Sequence, residues 1–259
     1  MNTGKNIKST ISVSMTALNE EDNIEAAVTN TLKAFDDFGI DGEVVVINDG
    51  STDKTGEIAK KISQTDKRVN IVTHAKPMGV GASFWDGVDA VKGDVVVWLP
   101  GDNENNPWEI FKYHALLDHV DLVIPFIYNK EVRSAARNAL SFLYTFIVNS
   151  VFLTNFNYTN GTTLYRKSAL KQLKRRSTGF FFQTDIIMRL AKKGYLFSQV
   201  PCSLGVRREG SSKAVSVKSL RQITFCFLKL FWDVYIAKTE GIRSEFTKDS
   251  KTFLIKIST

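Results

Sequence analysis

Short apolar segments alternate with amphipathic segments along the first half of the chain. Several segments have the β-branched and apolar composition of strands, and they are residues 11–17, 43–48, 68–74, 94–99 and 121–126. The segments between them repeat their apolar residues at helical spacing, and they are residues 20–35, 51–62, 81–93 and about 107–117. Strands that alternate with helices predict an α/β fold with a mainly parallel sheet flanked by helices and joined by right-handed crossovers.

From about residue 130 onwards, the hydrophobic pattern favours longer helices. Residues 133–153 and 219–238 predict apolar helices, and between them lie a strand–helix pair at 161–173, a helix at 183–194 and strands near 195–207. The uninterrupted apolar part of 133–153 is shorter than the roughly 18–20 residues that cross a bilayer. We therefore expect this helix to lie within or on the protein and not to span a membrane.

The helix predicted at 219–238 carries a narrow polar stripe on a broad apolar surface. Its polar residues recur at helical spacing, and they are Gln222, Cys226, Lys229 and Asp233. The pattern suits a buried helix, a helix in a membrane interface, or a subunit interface in a homo-oligomer, and the sequence leaves these open. A spanning helix is disfavoured, because Lys229 and Asp233 would lie deep in hydrocarbon. The cations available for anionic lipid headgroups are Lys213, Lys218, Arg221 and Lys238.

The positive charge of the chain is concentrated in its second half. Residues 1–150 have 14 Lys and Arg against 21 Asp and Glu, whereas residues 151–259 have 20 against 6, so the net charge of +7 combines −7 with +14. This asymmetry favours an anionic partner for the second half over a merely solvated basic face. Such a partner is a phosphate-bearing substrate or an anionic membrane surface, since no nucleic-acid-binding motif is present.

The N-terminal segment and the cysteines indicate the cellular context. Residues 1–10 are polar and lack the apolar core of a secretory signal. Cys202 and Cys226 lack CxxC spacing and lie in apolar segments, which predicts reduced residues of the core. We expect a cytoplasmic location, with the inner face of the membrane as the place of any peripheral membrane contact.

The polar residues that follow the predicted strands are the strongest functional signal. The chain leaves the first four strands through TALNEED, NDGSTD, HAKPMGVG and PGDNENNP, which begin at residues 16, 48, 74 and 100. In an open parallel sheet, ligands bind beyond the carboxyl ends of the strands. Polar, acidic and glycine-rich exits at one edge therefore indicate a single binding site.

The fourth exit has the composition of a metal site. Asp102 and Glu104 offer hard oxygen ligands two residues apart, which suits Mg²⁺ or Mn²⁺. Mg²⁺ is commonly held by one or two carboxylates together with substrate phosphates, so a site of this kind implies a phosphate-bearing ligand. The alternative is an acidic turn that caps the helix starting at Pro107.

The ordered set of motifs resembles a known enzyme family. The segments are TALNEEDNI, VVVINDGSTDKT, KPMGVGASFWDG and GDVVVWLPGDNENNP, followed by NGTTLYRKSAL, GFFFQTDIIMRLAKKGY and VPCSLGVRREGSSK, over about residues 10–235. This set resembles the family 2 glycosyltransferases with the GT-A fold. The resemblance is closest to the dolichol-phosphate mannosyltransferase-like branch and its bacterial polyprenyl-phosphate relatives.

The resemblance implies a donor-binding role for a first group of residues. They are Thr16, Asn19, Glu20, Asn48, Asp49, Gly79, Gly81 and Asp102. Thr16, Asn19 and Glu20 match the stretch that lines the nucleotide base and ribose. Asp49 matches the acid that contacts the base, and Asn48 stands where the family usually has another Asp. The two glycines match the loop whose backbone approaches the nucleotide, which glycine permits.

The implied metal site departs from the family pattern. Pro100 stands where many relatives have the first Asp of D-x-D, and Pro cannot coordinate a metal. We therefore expect Asp102 to be the main ligand of Mn²⁺ or Mg²⁺ and to be required for catalysis, with Glu104 bound directly or through water. The metal would neutralise the diphosphate and stabilise the leaving group.

On the acceptor side, the resemblance implies a carboxylate and a group of cations. Asp185 matches an acidic residue near the acceptor, where it would deprotonate a hydroxyl acceptor or only orient groups around a lipid phosphate. Its alternative role is that of a partner for the helix dipole. The residues implied around the donor diphosphate and the acceptor phosphate are Arg166, Arg207, Arg208, Ser212 and Lys213.

The resemblance implies a metal-dependent, inverting glycosyltransferase. It would move a sugar from a nucleotide-diphosphate sugar to a polyprenyl phosphate or a membrane-associated glycan lipid. Transfer to a sugar hydroxyl in surface polysaccharide synthesis and a sugar nucleotidyltransferase remain as alternatives. We expect a GT-A domain over residues 1–215, with a nucleotide-sugar half at about 10–126 and an acceptor half at about 127–215. Residues 216–259 would form a C-terminal amphipathic helix and tail.

Overall fold

A mainly parallel sheet with helices on both faces forms the body of the protein. The computed structural model describes residues 10–174, 176–205, 217–238 and 246–258. The strands are β1 (Ile11–Ala17), β2 (Gly42–Asn48), β3 (Val69–Thr73), β4 (Val95–Trp98), β5 (Leu122–Ile127), β6 (Leu164–Arg166) and β7 (Phe197–Cys202). They form one seven-stranded sheet in the order β3-β2-β1-β4-β6-β5-β7. The predicted α/β class is confirmed.

The helices follow the strands closely in sequence. They are α1 (Ile24–Phe38), α2 (Thr55–Thr65), α3 (Val80–Ala90), α4 (Pro107–Phe111), α5 (Ala135–Phe152), α6 (Lys167–Lys171), α7 (Phe182–Lys193), α8 (Val217–Phe231) and α9 (Lys251–Ser258). A π-helical turn, Trp232–Ile236, continues α8. None of the helices in the described part of the chain is long and apolar enough to cross a bilayer.

The sheet separates two apolar cores, because successive side chains of a strand point to opposite faces. On one face, Val44 and Val46 of β2 pack with α1 and α4. On the other face, Val45 and Ile47 pack with α3, α5, α7 and α8. Strand β1 is buried along its whole length, as expected for a strand covered by helices on both sides.

One strand runs against the others. β6 pairs antiparallel with both β4 and β5, whereas the remaining pairs of the sheet are parallel. β6 therefore begins, at Leu164, at the edge where β4 ends, and it finishes, at Arg166, beside Val95 at the start of β4. We refer to the edge formed by the ends of the parallel strands as the carboxyl edge, and to the other as the amino edge.

The last helix is fastened to the amino edge through Asp121, at the start of β5. This buried carboxylate accepts hydrogen bonds from the backbone N–H groups of Lys251 and Thr252 at 2.8 and 3.0 Å, and from the hydroxyl of Ser250 at 2.9 Å. A carboxylate at a helix N-terminus satisfies backbone donors that have no partner within the helix. The segment expected as a tail thus includes a docked helix, α9.

Candidate active site at the carboxyl edge

The loops that follow β1 and β2 are bound to each other at the carboxyl edge. Asn19 adopts the left-handed conformation with φ of 57°, which Asn tolerates better than most residues. Its side-chain oxygen accepts the backbone N–H of Thr52 at 2.9 Å, and its own N–H donates to the hydroxyl of Ser51 at 3.0 Å. The N–H of Glu20 donates to the hydroxyl of Thr55 at 2.8 Å. Asn19 and Glu20 therefore lie beside the loop that follows β2, and their contact with a donor stays a prediction.

Asn48 and Asp49, at the end of β2, organise the neighbouring turns. The Asn48 side-chain oxygen accepts the N–H of Ser51 at 3.1 Å. The buried Asp49 carboxylate accepts hydrogen bonds from the ring of His74 at 2.8 Å and from the backbone N–H groups of Met78 and Gly79 at 2.7 and 2.9 Å. Burial raises the pKa of Asp49, but these hydrogen bonds outweigh burial and hold the pKa below its usual value.

The glycine loop after β3 packs closely against another loop of the protein. Gly79 has φ of 96°, a conformation that residues with a side chain rarely adopt, and it begins α3. A Cβ on Gly81 would lie 2.6 Å from the backbone carbon of Thr178. The N–H groups of Gly81 and Ala82 both donate to the Thr178 carbonyl, at 3.1 and 3.2 Å. The close approach at Gly81 is thus made to the loop before α7, and contact with a nucleotide stays a prediction.

The loop that follows β4 lies against the loop that follows β1. The N–H of Gly101 donates to the carbonyl of Thr16 at 2.9 Å, which continues the pairing of β4 with β1. The hydroxyl of Thr16 in turn accepts the indole N–H of Trp98 at 3.0 Å. Asp102 follows directly, and its carboxylate accepts the N–H of Glu104 at 3.0 Å. The two predicted metal ligands therefore share one short turn at the carboxyl edge.

The carboxylates of this turn could supply some, but not all, of the ligands that a hard divalent cation needs. Asp102 and Glu104 supply carboxylate oxygens, which Mg²⁺ and Mn²⁺ prefer. Within the described ranges, no group of three or more His, Cys, Asp or Glu residues could hold a metal ion by itself. A site with two carboxylates suits a cation whose remaining ligands come from substrate phosphates and water.

The chain that leaves β7 returns to the same turn. The N–H of Ser203 donates to the carboxylate of Glu109 at 2.9 Å, and Asn129 holds Leu204 through hydrogen bonds of 2.9 and 3.0 Å. A Cβ on Gly205 would lie 3.4 Å from the carbonyl oxygen of Glu104. The predicted phosphate-binding residues that come next in the sequence are Arg207, Arg208, Ser212 and Lys213, and they lie outside the described residues.

Asp185 is placed in the first turn of α7 and is buried. Its carboxylate accepts the Nε–H of Arg189, one turn later, at 3.0 Å. Arg189 is also buried and donates through Nη2 to Asp233 at 2.8 Å. In the neighbouring position, the Thr184 hydroxyl lies 2.7 Å from the hydroxyl of Tyr144 on α5. Asp185 is therefore an ion-pair partner, and its role as a general base stays a prediction.

Arg166 is not at the carboxyl edge, which corrects the expectation that it binds phosphate. It lies at the end of the antiparallel strand β6, level with the start of β4. Its buried guanidinium donates to Asp121 at 3.1 Å and to the carbonyl of Leu117 at 2.8 Å. Arg166 therefore has a structural role at the amino edge, where it binds Asp121 and Leu117.

A cavity of about 490 Å³ opens at the carboxyl edge, next to the end of β5. It lies between α5, the segment that follows β5, and the loop at 154–158. Its lining residues are Ile127, Lys130, Arg133, Asn138, Ser141, Phe142, Thr145, Phe146, Asn149, Ser150, Thr154, Asn155, Phe156, Asn157 and Tyr158. This lining includes two cations and contains no Asp or Glu, and its remaining residues are apolar or neutral polar. We call this space the α5 cavity.

The two cations of the α5 cavity are functional candidates that the sequence patterns did not single out. The guanidinium of Arg133 lies over the ring of Tyr158, 5.8 Å from its centroid. The Nε–H of Arg133 is buried, and it has no hydrogen-bond partner within the described part of the chain. Lys130 and Arg133 follow β5 directly. The same reasoning about strand exits would have found them, had it been extended to the fifth strand.

Comparison with known proteins places these features in context. The family model for glycosyl transferase family 2 matches residues 12–174. Polyprenol monophosphomannose synthase of Mycolicibacterium smegmatis is 29% identical over 198 residues, which cover 70% of this chain and 73% of that protein.

Two undecaprenyl-phosphate 4-deoxy-4-formamido-L-arabinose transferases also match. The protein of Edwardsiella ictaluri is 33% identical over 101 residues, which cover 39% of this chain and 31% of that relative. The protein of Salmonella paratyphi B is 25% identical over 208 residues, which cover 78% of this chain and 62% of that relative. The matches therefore span less than two thirds of the length of these two transferases.

Solved structures share the fold. Glucosyl-3-phosphoglycerate synthase of Mycobacterium tuberculosis matches with a TM-score of 0.64 and 22% identity, over 86% of this chain and 80% of that chain. A structure of that enzyme with Mn²⁺, uridine diphosphate and glucosyl-3-phosphoglycerate matches with a TM-score of 0.60, 22% identity and the same coverage. At this level of identity the likeness is one of fold.

Proposed function

The chain belongs to glycosyl transferase family 2, and from this premise we propose that it transfers a sugar from a nucleotide-diphosphate sugar to a polyprenyl phosphate. The glycosyltransferase class and the GT-A fold that the sequence motifs imply are confirmed. The proposal adds the donor, the acceptor, a divalent cation and a membrane surface. A membrane-associated glycan lipid is the other lipid acceptor that the sequence motifs imply.

One observation carries the proposal. The carboxyl edge of the sheet holds an acidic turn, with Asp102 and Glu104, and also the α5 cavity, with Lys130 and Arg133. An acidic turn suits a cation and its diphosphate, whereas a cationic cavity without carboxylates suits a second anion. The same edge therefore offers places for a donor diphosphate and for an acceptor phosphate.

The donor side follows from the loops after β1, β2 and β4. Asn19 and Asp49 fix the loops on which a nucleotide would lie, and Asp102 with Glu104 would hold Mg²⁺ or Mn²⁺. When bound, the cation would neutralise the diphosphate leaving group. In support, a solved structure of the same fold contains Mn²⁺ together with uridine diphosphate.

The acceptor side follows from Arg133. A buried guanidinium N–H without a partner is costly, and a phosphate oxygen would satisfy it. An acceptor phosphate oxygen would form a bond to the anomeric carbon of the sugar as the bond from that carbon to the diphosphate breaks. The nucleoside diphosphate leaves with the electron pair. Because a phosphate is already anionic, this transfer needs no strong base, which agrees with an Asp185 that is bound to Arg189.

The relatives support an acceptor of this class. The Mycolicibacterium protein is named polyprenol monophosphomannose synthase, and the Edwardsiella and Salmonella proteins are named undecaprenyl-phosphate 4-deoxy-4-formamido-L-arabinose transferases. Each name joins a sugar to a polyprenyl phosphate. We infer the same acceptor class here.

A lipid acceptor requires a membrane surface, and two adjoining helices provide a face for one. On α5 the exposed large apolar residues are Leu140, Phe142, Leu143, Phe146 and Ile147, and on α8 and its π-helical turn they are Leu220, Phe225, Leu228, Phe231, Trp232 and Ile236. The two helices are in contact, since the rings of Phe152 and Phe227 are 5.4 Å apart. We call these residues the apolar face.

The charges on the apolar face fit an anionic lipid surface. Neither α5 nor α8 contains an Asp or Glu in its sequence, whereas Arg137, Arg221 and Lys229 are exposed on them. Apolar helices with cations at their margins bind in the headgroup region of anionic membranes. Phe142 and Phe146 belong both to this face and to the lining of the α5 cavity, so the cavity opens towards the proposed bilayer.

Product analysis tests the proposal. The protein is incubated with UDP-, GDP- or dTDP-sugars, Mn²⁺ or Mg²⁺, and undecaprenyl phosphate in detergent, and the products are separated by mass spectrometry. We expect one donor to give a glycosyl phospholipid and a nucleoside diphosphate in equal amounts, and only with the metal. In a parallel reaction with a nucleoside triphosphate and a sugar 1-phosphate, release of pyrophosphate would show a nucleotidyltransferase. With an oligosaccharide acceptor added, transfer only to its hydroxyl groups would show the polysaccharide alternative.

A matched pair of variants distinguishes loss of metal binding from a general effect of removing a carboxylate. Asp102→Asn should remove the metal-dependent thermal stabilisation by the donor, because one of the two carboxylates of the turn is lost. Asp118→Asn changes an exposed carboxylate outside the site and should leave this stabilisation unchanged. Equal metal-dependent stabilisation in both variants would contradict the assignment of Asp102.

A further inference from the structure

Arg189 joins the candidate acceptor-side carboxylate to the apolar face. It is 1% exposed, and its guanidinium donates from Nε to Asp185 at 3.0 Å and from Nη2 to Asp233 at 2.8 Å. Asp185 lies in the first turn of α7, whereas Asp233 lies in the π-helical turn that continues α8. The planar fork of an arginine can hold two carboxylates in fixed positions, which a lysine cannot do. The ion pairs therefore connect two separate helices.

Asp233 is the buried residue of the π-helical turn. It is 9% exposed although its helix carries the exposed apolar residues Trp232 and Ile236 on either side. π-Helical turns are rare, occur mostly as single turns within α-helices, and are frequent at functional sites. Here Asp233 is directed into the protein, towards Arg189.

A second contact links α8 to the entrance of α7. The side-chain amide of Gln222 lies over Gly179, where an added Cβ would be within 2.5 Å of it. Gly179 follows Thr178, whose carbonyl accepts the N–H groups at the start of α3. Helix α8 thus contacts α7 through Asp233 and the loop before α7 through Gln222.

We propose that Arg189 and Asp233 are positioning residues that fix Asp185 in the active site through helix α8. The inference rests on the proposed function and on the role that the family resemblance implies for Asp185, which is to orient groups around the acceptor phosphate. Neither positioning residue contacts substrate. Arg189 holds the Asp185 carboxylate in one rotamer, and Asp233 holds Arg189. The position of Asp185 consequently depends on how α8 is seated on the protein.

Asp233→Asn tests this role, since it keeps the shape of the side chain and weakens the bond to Arg189. We expect the kcat/KM for the lipid acceptor to fall by about tenfold or more, while the affinity for the donor changes by less than about twofold. Asp233→Glu, which keeps the charge, should restore most of the activity. Asp118→Asn, the same substitution at an exposed carboxylate outside the site, should behave as the wild type.

Hydrogen exchange provides a measurement that does not depend on turnover. In Asp233→Asn, the backbone amides of the first turns of α7 should exchange faster, while those of β1 and β4 should not change. Arg189→Lys is the second variant, and it should show the same pattern because lysine cannot bridge both carboxylates. Each variant is compared with the wild type at a temperature well below its own unfolding midpoint.

The outcomes distinguish the inference from the proposed function. An Asp233→Asn protein with wild-type acceptor kinetics and wild-type exchange in α7 would overturn the positioning role. An equal loss of donor binding and acceptor turnover would also overturn it, since this indicates a general structural defect. A wild-type protein that is inactive with every acceptor would refute the proposed function, and the exchange measurement would still decide whether Asp233 positions α7.

Discussion

The carboxylate of Asp49 accepts the backbone N–H of Gly79 at 2.9 Å, across 30 residues of sequence. This bond ties the end of β2 to the start of α3, and it is reinforced by the N–H of Met78 and the ring of His74. The conformation of the glycine loop therefore depends on one buried carboxylate. A loop on which a donor nucleotide is proposed to lie is thus held by a group that must be ionised.

Asp49 should make folding stability depend on pH in the acidic range. Its pKa is lower in the folded protein than the usual 3.8, so its contribution is complete at neutral pH and is lost as the pH falls below about 4. Asp49→Asn should lower the free energy of unfolding at pH 7 and reduce its loss on acidification. Urea unfolding at pH 7 and at stepwise lower pH measures both effects.

Asp86 provides the matched control for Asp49. It contacts the other ring nitrogen of His74, at 3.1 Å, but its side chain is 49% exposed. Exposed ion pairs contribute little to stability, so Asp86→Asn should leave the unfolding free energy at pH 7 nearly unchanged. An acid dependence that is the same in Asp49→Asn as in the wild type would contradict the role given to Asp49.

Gly81→Ala should destabilise the protein although alanine favours helices. The new Cβ would lie 2.6 Å from the backbone of Thr178, and backbone atoms cannot move aside as a flexible side chain can. Overpacking of this kind costs roughly 1–3 kcal/mol, which urea unfolding detects. Gly205→Ala is the control, since among the described residues its Cβ would meet the Glu104 carbonyl oxygen at 3.4 Å, an ordinary contact distance. Equal stability of the two variants would contradict the close packing at Gly81.

Arg133→Gln should weaken the binding of the acceptor and leave the donor unaffected. The variant removes a charge and the buried Nε–H from the α5 cavity. A hydrogen bond to a charged group contributes about 1.5–3 kcal/mol, so the KM for undecaprenyl phosphate should rise by roughly tenfold or more. Lys171→Gln, an exposed change on α6, is the control. A larger effect on the KM for the donor than on that for the acceptor would argue against an acceptor phosphate in this cavity.

Leu143→Asp should reduce binding to anionic vesicles. Leu143 is 53% exposed on the apolar face and does not line the α5 cavity, so the change affects the surface alone. An added carboxylate both removes apolar area and repels anionic lipids. Co-sedimentation with vesicles of phosphatidylglycerol, compared with phosphatidylcholine, measures the effect.

Ile257→Asp is the control for the membrane prediction. Ile257 is 65% exposed on α9, which is docked at the amino edge. Its substitution by Asp therefore adds the same carboxylate to an exposed apolar position away from the apolar face. Vesicle binding should therefore survive this substitution. If the two variants lose binding equally, or if the wild type does not bind, the apolar face is not a membrane surface, and self-association measured by ultracentrifugation would identify a homo-oligomer contact instead.

The strands and their exits could be predicted because they depend on local patterns. Continuous apolar runs such as 43–48 and 94–99 can be buried only in the centre of a sheet, and the polar residues after them had to lie at one edge if the strands were parallel. The loops that contain Asn19, Asp49 and Asp102 accordingly leave the sheet at the same edge. The reasoning worked where each helix lies between two parallel strands.

The direction of a strand could not be predicted in the same way. Residues 164–166 have strand composition, but nothing in three residues indicates that they run antiparallel between β4 and β5. This reversal carries Arg166 to the amino edge, where Asp121 holds it. The ion pairs of Arg189 were equally hidden, because they depend on how α7 and α8 pack and not on either sequence alone.

Phe142 and Phe146 lie both on the apolar face and in the lining of the α5 cavity. This position affects how each of the two substrates reaches the enzyme. Under the proposed function, the nucleotide sugar arrives by diffusion in three dimensions, whereas the acceptor arrives by lateral diffusion within one leaflet of a bilayer. The rate at low acceptor density would then depend on the number of acceptor molecules per unit area of lipid, and not on their concentration in the whole volume. Dilution of the acceptor with inert lipid would slow the enzyme, while dilution with buffer would not.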